Sequence, residues 1–352
     1  MDIAVVGATG MTGQQIVVQL ILKGLLGPLD RLQLVGRPSA EARLRGMVVD
    51  LRDAFFEAAP DLDVTLTPED ITADIVVFAA GGTLSTEPNQ PMTREALAQA
   101  NLPLFESYAE ALASHGHGHE LVIVVSNPVE LGVSVFARHL GRYRVFGMGA
   151  YQDTLRLRRE IAGDLGITRQ RVQTYMLGEH GAGLVPTWSV LRLHGFDAEE
   201  TDQLKVQLRG GLSAETYPAT LAQELSTVRG MIGAGDLRAA FAHVRTLAPD
   251  LRVALRPYAA HYSGAKTAVA TANATIDMLR VVLSGHQTVM AAQVALEDDW
   301  PGLHGVLGVP VLVGHQGWLQ VDPLDLAADE EAHLLAVGRG VADKLRQWEG
   351  VR

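Results

Sequence analysis

The stretch that most constrains this chain lies at its start. An apolar run, Asp2–Val6, stops at Gly7-Ala8-Thr9-Gly10-Met11-Thr12-Gly13 and passes into Met11–Leu25, where apolar residues recur at helical spacing. A strand that turns directly into a helix brings the helix's unpaired N–H groups to the strand's carboxyl end. Glycines in that turn permit a tight bend and close approach of backbone to a pyrophosphate, which the helix N-terminus attracts. A glycine triplet alone is weak evidence, and the strand–loop–helix context strengthens it. Gly7, Thr9, Gly10, Met11, Thr12 and Gly13 are the expected dinucleotide contacts.

The pattern that follows agrees with this start. Strand candidates at Leu32–Val35, Val64–Leu66, Ile75–Ala79, Leu121–Val125 and Arg144–Phe146 alternate with helical patterns at Ala42–Phe56, Thr93–Ser114 and Val129–Leu140. Continuous apolar strands between amphipathic helices imply a doubly wound parallel sheet covered on both faces. After about residue 150 the pattern changes. A helix at Asp153–Leu165 leads to a strand at Val172–Leu177 and a helix-forming stretch from Ala198 to Val253. Thr288–Leu296 and Val309–Val313 read as antiparallel strands, and Asp329–Trp348 as a closing amphipathic helix. The expected division is a dinucleotide-binding domain at 1–150 and an α+β substrate domain at 151–352.

The second strand ends without the acid that normally binds adenosine ribose hydroxyls. Gly36 stands in its place, followed by Arg37 and Ser39, with Arg43 and Arg45 close behind. Loss of the carboxylate removes repulsion against a 2′-phosphate, and an arginine supplies charge-assisted hydrogen bonds to it. The expectation is that NADPH is preferred, with NADH as the alternative.

Composition narrows the function classes. The chain has 352 residues, 47% hydrophobic, with a formal net charge of −11 and no cysteine. An acidic chain gains little from phosphate counterion release, so nucleic acid is not an expected partner. Thiolate metal sites and cysteine nucleophiles are excluded. No apolar run is long enough to span a bilayer, and a cytoplasmic location without membrane contact is expected. His115, His117 and His119 alternate before Glu120. A metal site there is the alternative to an exposed loop, and the loop is the reading taken, with no metal expected.

Four short segments carry candidate chemistry: Met92-Thr93-Arg94, Ser126-Asn127-Pro128-Val129, Asp153-Thr154-Leu155-Arg156 and Leu177-Gly178-Glu179-His180-Gly181. At these residues, and at the late Gly308-Val309-Pro310-Val311 segment, the chain resembles the lactate/malate dehydrogenase family over nearly its whole length. The resemblance implies a Rossmann domain followed by that family's α+β substrate domain. It implies hydride transfer between a nicotinamide cofactor and a small 2-oxo or 2-hydroxy acid. His180 becomes the acid/base, a role that suits imidazole near neutral pH. Asp153 orients it. Arg156, on the same helix side as Asp153, holds the substrate carboxylate through a bidentate fork. Arg94 polarises the carbonyl. Asn127 and Ser263 line the pocket, and Ala80, Gly81, Asn101 and Ser126 fall on the cofactor side. The resemblance also implies a homodimer or homotetramer.

The chain departs from the family in its substrate loop, Gly81–Pro91. Where malate dehydrogenases place an arginine, six residues before the position of Arg94, this chain has Pro88, preceded by Glu87. A second substrate carboxylate would be unpaired there, which argues against malate and oxaloacetate. Glu87 is expected to face a neutral polar or cationic side group. The stretch from His180 to Ser263 is longer than the family's, with the excess expected as added helices in 199–257. Arg229, Arg238 and Arg256 are candidate extra contacts. Two other readings remain open: a short-chain-type reductase using Tyr262 and Lys266, and a non-catalytic NADPH-binding sensor or scaffold.

Overall fold

A computed structural model describes residues 1–83 and 93–350. Its spine is a parallel sheet of β1 (Asp2–Val6), β2 (Arg31–Val35), β3 (Asp61–Thr65), β4 (Ile75–Phe78), β5 (Leu121–Val124) and β6 (Val145–Gly147). Their spatial order is β3-β2-β1-β4-β5-β6. That is the doubly wound order, reversing direction between β1 and β4. Helices α1 (Met11–Leu22), α2 (Glu41–Ala54), α3 (Arg94–His115) and α4 (Val129–Leu140) cover its faces. Every residue of β4 and β5 is buried, as the unbroken apolar runs require.

Helix α5 (Gly149–Leu165) leaves β6 and carries the chain into a different architecture. Short strands β7 (Val172–Gln173), β8 (Met176–Gly178), β9 (Leu184–Pro186) and β10 (Arg192–Leu193) follow. Then come α6 (Ala198–Arg209), α7 (Tyr217–Gly233), α8 (Leu237–Arg245), α9 (Pro249–Tyr262) and α10 (Ala268–Ser284). A long hairpin, β11 (Thr288–Trp300) and β12 (Leu303–Gly314), precedes β13 (Gly317–Val321) and α11 (Ala328–Glu349). The hairpin continues the parallel sheet: Gln293 of β11 pairs antiparallel with Gly147 of β6, and Gly308 of β12 pairs with Gly178 of β8. The Gln293 side chain reinforces the join by accepting the Ala150 N–H at 3.0 Å.

Two apolar cores result. One runs through the whole sheet from Ile3 to Trp348. The other, from Leu157 to Leu255, lies among α5, α7, α8, α9 and the short strands.

The sequence pattern needs correction in places. The expected strand Val172–Leu177 is two strands in different sheets. The chain crosses between them at Thr174 and Tyr175, where the Thr187 hydroxyl accepts the Tyr175 N–H at 3.1 Å and Thr174 donates to the Thr187 carbonyl at 2.7 Å. The first helix ends at Leu22, and the chain turns through Gly24 at φ 62° instead of continuing to Leu25. Helix α5 begins at Gly149, a turn earlier than expected. Helix α10 and strand β13 carry no assignment from the pattern. The 199–257 stretch is helical as expected, resolved into four helices by Gly210, Gly211, Gly235 and Pro249.

Candidate active site

The site forms where β1, β4 and β5 end and α5 begins. Gly7 leaves β1 at φ 81°, and a Cβ there would stand 2.8 Å from the Ala79 carbonyl oxygen, so only glycine lets the two strand ends lie this close. Gly10 precedes α1 with no side-chain cap, and the first turn of α1 holds no acid. Gly10, Met11 and Thr12 line a cavity of about 1210 Å³. Uncapped N–H groups facing a cavity, with no carboxylate to repel an anion, fit a dinucleotide pyrophosphate. Thr9 is half-buried and Gly13 is buried on α1; neither lines the cavity.

Ala80, Gly81, Ser126 and Asn127 line the same cavity from the ends of β4 and β5. Asn101 does not. It is buried on α3 and holds the two loops together, accepting the Gly82 N–H at 2.7 Å and donating to the Asn127 carbonyl at 2.6 Å. The Ser126 hydroxyl donates to the Ala80 carbonyl at 2.5 Å. The peptide between Asn127 and Pro128 is cis. Gly36 is buried at the end of β2, while Arg37 and Ser39 are exposed and lie outside the cavity lining. Arg45 pairs with Glu41 one turn earlier at 2.7 Å.

The reacting end of the cavity is built on α5. His180 Nδ1 lies 2.7 Å from Asp153 Oδ2, and Arg156 Nη1 donates to the other carboxylate oxygen, Oδ1, at 2.8 Å. Asp153 is 1% exposed. Burial works against its charge, but His180 and Arg156 outweigh that and hold its pKa below the ordinary aspartate value. His180 therefore has Nδ1 committed and Nε2 directed elsewhere, with Arg156 beside it on the cavity wall. Two further contacts seat His180. Its backbone N–H donates to Glu130 at 2.7 Å, and a Cβ on Gly149 would lie 2.5 Å from its Cγ.

Arg94 opens α3, whose N-cap Thr93 accepts the Ala96 N–H at 3.1 Å. Its guanidinium donates to Glu179 at 3.0 Å and to the His180 carbonyl at 2.5 Å. Glu179 in turn accepts from Lys344 of α11 at 2.7 Å. Glu130, Glu179 and Gly149 were not singled out by the sequence pattern. The acid in Leu177-Gly178-Glu179-His180 was the available signal, since a buried carboxylate beside a candidate histidine needs a cation.

His180, Asp153, Arg156, Arg94 and Asn127 thus meet at one cavity. Ser263 does not join them: it follows α9, is exposed, and its hydroxyl donates to the Ala260 carbonyl at 2.7 Å. Glu87 and Pro88 lie outside the described residues. Arg229 reaches the cavity and donates to the Tyr258 hydroxyl at 3.3 Å. Arg256 lies 3.2 Å from buried Glu160, and Arg238 is exposed outside the lining. The Tyr262 hydroxyl is pushed up to about 12 by burial and by neighbouring Tyr258, and Lys266 donates to Thr83 instead. In the histidine loop, buried Glu120 accepts the His117 N–H at 2.5 Å and the Gly118 N–H at 3.0 Å, so its carboxylate organises the loop backbone. Among the described residues no group of three or more such side chains is arranged to hold a metal. No helix there is long and apolar enough to cross a membrane.

Fold and site together define a dinucleotide-binding α/β protein of the Rossmann class. Residues 1–147 match the NAD-binding domain of lactate/malate dehydrogenases. Similar proteins include a malate dehydrogenase of Methanococcus maripaludis, 23% identical over 94% of this chain and 93% of the relative. An L-lactate dehydrogenase 1 of Lactobacillus johnsonii is 28% identical over 97% and 95%. An L-2-hydroxycarboxylate dehydrogenase (NAD(P)(+)) of Methanocaldococcus jannaschii is 21% identical over 94% and 93%. Over nearly its whole length the chain is thus similar to lactate and malate dehydrogenases at low identity, and its first 147 residues match their NAD-binding domain.

Proposed function

We propose that this protein is a dehydrogenase that interconverts a 2-hydroxy acid and a 2-oxo acid, with NADPH as the preferred cofactor. Residues 1–150 hold the cofactor, and 151–352 build most of the substrate pocket. The observation that carries the reading is the buried Asp153 carboxylate shared between His180 Nδ1 and Arg156. It fixes an imidazole through Nδ1 next to a guanidinium, the pairing needed to move a hydroxyl proton while holding a carboxylate.

Gly10, Met11 and Thr12 bind the pyrophosphate, with Ala80, Gly81 and Ser126 alongside. When bound, the nicotinamide supplies the two-electron chemistry at the substrate's 2-carbon. Arg156 fixes the substrate carboxylate. His180 takes the hydroxyl proton on oxidation and returns it on reduction, and Asp153 stabilises the imidazolium formed in between. Arg94 places positive charge beside the reacting oxygen. The missing carboxylate at Gly36 and exposed Arg37 support NADPH. The family resemblance supports a homodimer or homotetramer.

The test follows NADPH and NADH oxidation against a panel of 2-oxo acids, with His180→Ala as control. Turnover abolished in that variant is the expected result, and Arg37→Ala is expected to raise KM for NADPH about tenfold while leaving NADH unchanged. Tight NADPH binding without turnover of any acid would instead favour the sensor.

A further inference from the structure

Resting on the dehydrogenase reading, we infer that the substrate carries a large apolar side chain, received by a wall that α7 and α9 build beyond His180 and Arg156. The α7 side of the cavity is one stripe. Tyr217, Leu221, Leu225 and Ile232 all line it. At 100° per residue they fall within an arc of about 80° on the helix. Leu255, Tyr258 and Tyr262 of α9 line it too.

The charges in the lining are placed elsewhere. Asp153, Arg156, His180 and Arg94 form the reacting group described above, and Asp153 is the only acid among the described lining residues. Of the other cations, Arg229 is bonded to the Tyr258 hydroxyl and Lys266 to Thr83, each at 3.3 Å. Among the described lining residues a cationic side group finds no unengaged carboxylate, and a small acid leaves the half-buried Leu221, Leu225, Tyr258 and Tyr262 facing water. Covering such a surface is what a bulky hydrocarbon or aromatic side chain does.

The wall is held in place. Tyr217 is 1% exposed and its hydroxyl donates to the Asp250 carbonyl at 3.4 Å. Trp188 donates to the Asp250 carboxylate at 2.9 Å, and Val228, on the same side of α7, is fully buried in the second core and anchors the helix there. Leu221 and Leu225 remain half-buried, turned to the cavity.

The experiment compares kcat/KM for phenylpyruvate and 4-methyl-2-oxopentanoate with pyruvate, oxaloacetate and 5-guanidino-2-oxopentanoate, in the wild type, Leu221→Ala and Leu225→Arg, with circular dichroism confirming that each folds. The expected result is a preference of at least about tenfold for the two bulky apolar acids. Leu221→Ala reduces it about fivefold, and Leu225→Arg removes it while raising turnover of oxaloacetate. The inference is overturned if pyruvate, oxaloacetate or the guanidino acid is the best substrate, or if both variants leave the preference unchanged; in either case the dehydrogenase reading stands. No turnover of any acid by protein that still binds NADPH removes that reading, and this inference with it.

Discussion

Gly149 and His180 are in contact: a β-carbon on the first would stand 2.5 Å from Cγ of the second. The helix that carries Asp153 therefore starts with the one residue small enough to let the imidazole lie across its first turn. Gly149→Ala should keep the fold, because alanine suits a helix better than glycine. It should displace the ring from its Asp153 bond and lower kcat about 100-fold, with the cofactor dissociation constant unchanged. Steady-state kinetics together with cofactor titration separate the two effects.

Arg156 tests substrate anchoring. It gives one N–H to Asp153 at 2.8 Å, and its planar fork is what a second, bidentate partner requires. Arg156→Lys retains the charge and loses the fork. The expected change is a KM for the 2-oxo acid raised roughly 10- to 100-fold, with a smaller fall in kcat. An equal fall in kcat and no change in KM would move Arg156 out of substrate binding.

Glu130 makes a prediction about pH. Burial pushes its pKa up, Glu179 adds to this, and Arg94 and the His180 N–H only partly offset them. The folded state therefore binds a proton more tightly than the unfolded chain does. The sign follows: this carboxyl favours folding at low pH, and stability is lost as pH rises from the ordinary glutamate value through the raised one. Glu130→Gln keeps an acceptor for the His180 N–H without the buried charge. Thermal melts from pH 4 to 8 should show the variant more stable at the alkaline end, by about 1 kcal/mol, with the gain shrinking toward pH 4.

The second core contains an ion-pair network with its own signature. Arg252, 5% exposed, lies 2.7 Å from Glu160 and 2.6 Å from Asp164. Arg252→Met should cost about 3–5 kcal/mol, since it leaves buried acid underpaired. Adding Glu160→Met should recover part of that loss. Urea midpoints of the single and double variants check both statements.

These residues show what was legible in the sequence. The glycine loop, the alternating strands and helices, and the grouping of His180, Asp153, Arg156 and Arg94 could all be read, because each depends on local spacing or on a short motif in order. Glu130 and Gly149 could not. Their importance comes from contacts 50 and 31 positions away in the chain, with nothing local to mark them. Ser263 failed for the converse reason: a motif position said nothing of how α9 ends, and its hydroxyl turns back to its own helix. Asn101 falls on the cofactor side by resemblance, but its three amide contacts bind loop backbone, a role composition does not reveal.

The join of Gln293 to Gly147 has a mechanical consequence. Because the hairpin is hydrogen-bonded to the last parallel strand, one sheet continues from β3 to β9, with the first core running through it. The two halves of the molecule share that sheet. The helices over the second core rest on that platform with a separate interior, and can loosen while the sheet stays protected. Amide exchange should be slowest along β4, β5 and β11 and faster across α7 and α8. In a chain organised in this way, residues of α7 and α9 can be varied by mutation while the sheet under them stays in register.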